Sequence, residues 1–225
     1  MSIDKASPNQ GLLSTTEERF KRDLIIVNNP VLIEGLALTP IIGAAFTLRN
    51  AVMLSIMIPF LVIPARFIGN LLVGLVPQKL RIMVYSIIAS LFYLPGYLLL
   101  TRMFNIRIAT LGVYLPMLVV DSIIVSRTEI PTREKIFSAF FNGILTSFGF
   151  TLAAVLVGGT REFLGMGKLW GQLVLDKPPL PIISTVAGGL MITAVYCAVF
   201  QYMVSLIKRA RYRYAKESWR NKGAK

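Results

Sequence analysis

Few residues in this chain could do chemistry, and the pair that stands out is Asp121–Ser122, in the stretch YLPMLVVDSIIVSRTE at 114–129. A carboxylate and a hydroxyl stand there inside a run otherwise fit for hydrocarbon. A lone Asp at the centre of a membrane helix costs about 2.5–3.5 kcal/mol to insert, so something must compensate it. Two compensations are open. One is a ligand or gate role for Na⁺ or H⁺. The other is a structural hydrogen bond, or an ion pair with Arg66 or Arg127. Glu34 lies about one turn into another apolar run, and Arg66 lies deep in a third, in PARFIGN, with Asn70 one turn further on the same face. Either charge can serve a polar path or extend its head to an interface. Thr39, just before Pro40, adds a hydroxyl at a point where the missing proline donor favours a kink or break.

Other chemistries lack their residues. The chain has no histidine and one cysteine, Cys197, which removes the usual haem and zinc imidazoles, an internal disulfide and a multi-cysteine metal site. Cys197 reads as apolar filler. The glycine-rich GGTREFLGMGKLWG at 158–171 invites a phosphate-loop reading and fails it. Glu162 stands where the first glycine is required, and Leu169 replaces the Mg²⁺-binding hydroxyl. It reads instead as a tight re-entrant or interfacial turn with Trp170 as anchor. No catalytic residue and no metal ligand is assigned.

The elements that position these residues are apolar spans. Of 225 residues 55% are hydrophobic and 16% charged, and the apolar runs match a hydrocarbon layer of roughly 30 Å. Hydropathy gives six spans, at 31–48, 51–76, 82–101, 108–125, 136–158 and 181–207, an all-α membrane domain over 30–207 between an N-terminal segment, 1–29, and a basic tail, 208–225. The N-terminal stretch does not read as a secretory signal. Seventeen Lys and Arg fall on the side shared by the termini and six on the other, which predicts both termini in the cytoplasm. Eight basic residues lie in the last 18 positions, where they suit anionic lipid; nucleic acid is not the expected partner. Asn29 and Pro30 read as the cap and first turn of the first span. The first and fourth spans, one opening each half, carry Pro40 and Asp121, which suggests two inverted three-helix repeats with broken first and fourth helices and a midplane site. Gly158–Gly159 and VAGGLM at 186–191 read as close helix packing.

These stretches resemble the membrane subunits of Rnf- and Nqr-type ion-translocating electron-transport complexes, of the Rnf E and Nqr D kind. The likeness runs through NNPVLIEGLALTPIIGA, NLLVGLVPQKLRIMVYSIIAS, LPMLVVDSIIVSRTE and GGTREFLGMGKLWG, from about 28 to 171. It implies six spans, inverted repeats, the bacterial inner membrane, a sister six-helix subunit of opposite orientation, and other Rnf/Nqr-type subunits. It also implies an intramembrane [2Fe–2S] cluster held by cysteines of both sister subunits. At the two matching positions this chain has Thr39 and Ser122, and alcohols are poor iron–sulfur ligands. Asp121 stands where the resemblance places asparagine, and Asn142 where it places an acid. The expected function is a subunit coupling redox work in partners to Na⁺ or H⁺ movement, not catalytic alone and binding no cluster by itself. Asp121, Ser122 and Thr39 could supply hard oxygens suited to Na⁺. The alternatives are a non-redox ion transporter or channel, or a structural assembly subunit.

Overall fold

The computed structural model describes residues 29–72, 74–104, 110–125 and 136–222, the side chains of Ile136, Ser138 and 211–222 excepted. Arg127 and the N-terminal segment before Asn29 lie outside the described residues. The fold is helical apart from one small hairpin. In chain order it comprises α1 (Leu38–Ala44), α2 (Leu48–Leu72), α3 (Arg81–Phe104), α4 (Tyr114–Met117), α5 (Ser122–Val125), α6 (Ile136–Met166), a hairpin of β1 (Lys168–Leu169) and β2 (Gln172–Leu173), and α7 (Val186–Lys222). Short 3₁₀ turns occupy 78–80, 118–120 and 181–184.

Among the described residues four helices are long and apolar enough to cross a membrane: Leu48–Leu72, Gln78–Phe104, Ala139–Met166 and Val186–Ala210. Six spans are expected, with the first and fourth of them broken. Where the first and fourth are expected, the chain forms short helical pieces. The long helix α2 sits at the centre and packs on α3 and α6. Met53, Leu54, Met57, Ile58 and Leu61 of α2 meet a core that includes Ala89 and Leu100 of α3 and Phe150, Ala153 and Val157 of α6. By contrast, α3 and α7 leave rows of large apolar side chains exposed, such as Leu91, Leu94 and Leu98, and Leu190, Val195 and Val199. In water such rows would be a liability; against hydrocarbon they are ordinary surface.

Helix α6 shows how a span tolerates polar residues. The hydroxyls of Thr146, Ser147, Thr151 and Thr160 donate to the carbonyls of Asn142, Gly143, Ser147 and Leu156, four residues back. Each polar group is thereby satisfied within the helix. The helix continues well beyond the expected end at 158, to Met166. The stretch 158–171 is therefore not one re-entrant turn: its first part is helix, and only Gly167–Leu173 turns back. Positive φ at Gly167, Trp170 and Gly171 closes that hairpin. Trp170 is partly exposed, and the Arg49 guanidinium lies over its ring at 5.8 Å. At the other end, α7 carries the helical backbone of the last span through to Lys222.

Candidate functional site

The site grows from NNPVLIEGL. Asn29 Oδ1 accepts from the amides of Val31 and Leu32, at 2.9 and 3.0 Å, and Pro30 occupies a position that needs no donor. The turn so capped closes almost at once. Gly35, at φ 73°, donates to Val31 O, and Leu36 donates to Pro30 O, both at 3.0 Å. The first of these, a single five-to-one bond from a left-handed residue, is the αL closure of a helix end, a position where glycine is least strained. The backbone therefore departs from helical geometry at Gly35–Ala37, ahead of Pro40. Pro40 falls in the first turn of α1, where its missing N–H does no harm, which corrects the expectation of an interruption at the proline.

Ala37 is left-handed as well, at φ 56°, a conformation costing about 1–2 kcal/mol for a residue with a Cβ. Its amide is held from the fourth expected span: Ala37 N donates to Ser122 Oγ at 2.8 Å. Ser122 in turn donates to Asp121 Oδ1 at 3.0 Å, and the same oxygen accepts from Ile123 N at 3.3 Å. Asp121 is thus the N-cap of α5 as well as the end of a three-member hydrogen-bond chain. Through that chain the two short-helix regions of the protein meet.

The far end of α1 is held just as closely by groups buried from solvent. Arg161, 1% exposed, donates from Nε to Ile183 O, from Nη1 to Ile42 O and Ala45 O, and from Nη2 to Ser184 O and Thr185 O, at 2.7–3.4 Å. Every N–H of the guanidinium fork has a carbonyl. Those carbonyls lie at the ends of α1 and of the 181–184 turn, where helix dipoles favour a cation. Glu162, beside it, accepts from Leu48 N and Gly171 N, both at 2.7 Å. It places an anion at the amino end of α2, the favourable sense for the dipole. Asn50 adds bonds to Ala44 O at 3.1 Å and from Thr110 Oγ1 at 3.1 Å. Bonds to charged groups contribute about 1.5–3 kcal/mol apiece, while burying each ion costs several kcal/mol. Directional bonds from several elements to the same two side chains fix the geometry of this end of α1.

The expected site residues separate. Asp121 and Ser122 join the Ala37 amide; Thr39 does not join them. Thr39 is exposed and lines a cavity with Gly43 and Tyr114, and among the described residues no hydrogen bond links it to Asp121 or Ser122. Glu34 is exposed on the capped turn, and Arg66 is buried on α2 with its Cδ beside Gly143 of α6. Cys197 is half-buried on α7. Arg161, Glu162 and Asn50 were not anticipated as a group. The available signal was a cation and an anion side by side, Arg161–Glu162, at the end of a long apolar run.

A family model described as Rnf-Nqr subunit, membrane protein, matches residues 19–206. Among curated proteins, the E subunit of the ion-translocating oxidoreductase complex of Shewanella oneidensis is 35% identical over 144 residues, covering 64% of this chain and 62% of that protein. The proteins of the same name from Shewanella putrefaciens and Shewanella baltica are 33% identical with the same coverage. The matched stretch thus spans less than two thirds of the length of these relatives.

Proposed function

The chain belongs to the Rnf-Nqr family of membrane subunits, and we propose on that basis that it is an integral subunit of an ion-translocating oxidoreductase complex. Its role is to carry part of the path for Na⁺ or H⁺, while partner subunits do the redox chemistry. The observation that carries this reading is the chain of bonds from Ala37 through Ser122 to Asp121. Each short-helix region then counts as a broken span, one in each inverted three-helix half, and their meeting point is the midplane polar site. Irregular backbone at membrane depth is tolerated where it is enclosed by protein or lines a polar cavity. The sister subunit of opposite orientation, the inner membrane and cytoplasmic termini belong to the same proposal.

A [2Fe–2S] centre shared with that sister subunit does not fit the residues present. Ser122 Oγ already accepts from Ala37 N and donates its proton to Asp121, so it is a neutral alcohol in use, not a thiolate-like ligand. Thr39 is likewise an alcohol, and Cys197 lies on α7. No electron step is assigned to this chain. Tagging it in its native membrane and purifying at mild detergent concentration tests membership. Recovery with flavin- and iron–sulfur-bearing subunits is the expected result; recovery alone would contradict it.

One observation favours a second reading, an assembly role. Asp121 has a sufficient structural occupation as the cap of α5. Ion uptake by an Asp121→Asn complex separates the two, because asparagine keeps the cap and removes the charge.

A further inference from the structure

The last helix is longer than a membrane needs. Helix α7 runs from Val186 to Lys222 without a break, and no proline or glycine follows Gly189 within it, so it lacks the residues at which helices most often kink. From Val186 to Leu206 it carries no charge and rises about 31 Å at about 1.5 Å per residue, close to the thickness of the hydrocarbon layer. From Ile207 to Lys222 it rises about 24 Å more. In that stretch seven residues are Lys or Arg and one, Glu217, is acidic. We infer that this extension stands clear of the bilayer as a basic post and docks an acidic face of a water-soluble domain belonging to another subunit of the complex. The partner rests on the proposed membership of a complex; the post rests only on α7 crossing the membrane.

The register of the charges gives the post a side. Arg209, Arg213, Lys216 and Arg220 recur at spacings of four, three and four residues, which places them on one face of the helix. Carried back into the span, the same face holds Met191, Val195, Ala198 and Tyr202, all exposed, while Thr193 and Val204 on the opposite face are buried. The stripe therefore continues the side of α7 that looks away from this chain's own core. Lipid headgroups account only for its beginning. They add about 5–7 Å to each side of the hydrocarbon, so Lys208 and Arg209 fall among them and suit anionic lipid. Lys216 and Arg220 come about 8 and 14 Å beyond the headgroups. The Debye length in physiological salt is about 8 Å, so at Arg220 the charge of the bilayer surface is largely screened. An average tilt of about 20° lowers these heights by only about 1 Å. An acidic protein surface can be brought to that height; a membrane cannot. The extension also lies beyond residues 19–206, the stretch that the family model matches, so this docking is separate from the matched membrane core.

Photo-crosslinking of the full chain in its native membrane tests this before any purification. A photoreactive phenylalanine analogue takes the place of Trp219, three residues on from Lys216 and so beside the stripe, or of Ser218, on the opposite face. Position 219 is expected to give a discrete protein adduct, and position 218 much less. The crosslinked peptide, read by mass spectrometry, should be rich in Asp and Glu and belong to a subunit that co-purifies with this chain. Combining Arg213→Glu, Lys216→Glu and Arg220→Glu should cut the adduct on the order of tenfold, since like charges set face to face exclude a partner. Arg213→Lys with Arg220→Lys should keep it. Raising the salt to about 1 M, where the Debye length falls to about 3 Å, should weaken the adduct of the unreversed chain in the same way. Adducts with lipid alone, a nuclease-sensitive adduct, a peptide without acidic residues, equal yields from the two faces or indifference to charge reversal would overturn the docking. An acidic adduct on a protein that does not co-purify would overturn the assignment of the partner to the complex. The readout needs no ion flux. Unchanged uptake by Asp121→Asn therefore leaves the docking standing, and loss of the adduct leaves the ion-path reading standing.

Discussion

The Asp121 carboxylate caps α5 through Ile123 N and receives the Ser122 hydroxyl, so its two substitutions separate structure from charge. Asparagine caps as well as aspartate, whereas alanine does not. Asp121→Asn should hold its stability in detergent, and Asp121→Ala should lose about 1 kcal/mol, read from the midpoint of denaturant unfolding. Ser122→Ala breaks the link to Ala37 and leaves a left-handed amide without its partner; a loss of about 1–3 kcal/mol is expected in the same measurement. At Arg161 the conservative change is the informative one. Lysine keeps the charge but offers a point donor where a planar fork reaches carbonyls of two elements. Arg161→Lys should therefore fail to restore the assembly that Arg161→Ala loses, a comparison of complex yields on native gels. Recovery by lysine would mean that charge alone matters there. Of these residues, Asp121 and Ser122 were legible in the sequence, because a carboxylate in an apolar run demands compensation. Arg161 was not: its acceptors at Ile42 and Ala45 lie 119 and 116 residues away, and local pattern carries no such information.

At the scale of elements, α1 has seven residues, too few to persist alone in a chain where helices gain cooperativity only over several turns. It is ordered because both ends are held, by Ser122 at one and by Arg161 and Asn50 at the other. Gly189 of α7 completes the second clamp. A Cβ there would come within 2.7 Å of Arg161 Cζ, so Gly189→Ala must displace the guanidinium. About 1–3 kcal/mol of destabilisation is expected from such overpacking, measured by unfolding in detergent, with Gly159→Ala as the control because its nearest neighbour lies at 3.6 Å. Hydropathy made the four long helices readable, since sustained apolarity over span length has few other meanings. It did not place the irregular backbone of the first region, because apolar composition does not distinguish one capped turn followed by a short helix from a helix interrupted at its proline. The signal that would have done so was local: Asn29, Pro30 and Gly35 are the start and stop of a single turn. Ala37 gave no such sign, as its left-handed backbone is imposed by a contact with Ser122, 85 residues on.

On the scale of the whole molecule, α2 is enclosed while α3 and α7 turn apolar rows outward, the arrangement of a protein whose surface meets hydrocarbon. The uneven spread of Lys and Arg predicts cytoplasmic termini, so a C-terminal reporter active only in the cytoplasm should be active. The proposed role is ion movement within a larger complex, and one measurement bears on it most directly. The intact complex carrying Asp121→Asn, purified at normal subunit composition and reconstituted into sealed vesicles, is assayed for electron-driven Na⁺ and H⁺ uptake. Loss of uptake with electron transfer continuing is the expected result. Uptake equal to that of the unsubstituted complex would contradict the ion-path role and leave Asp121 as the cap of a short helix.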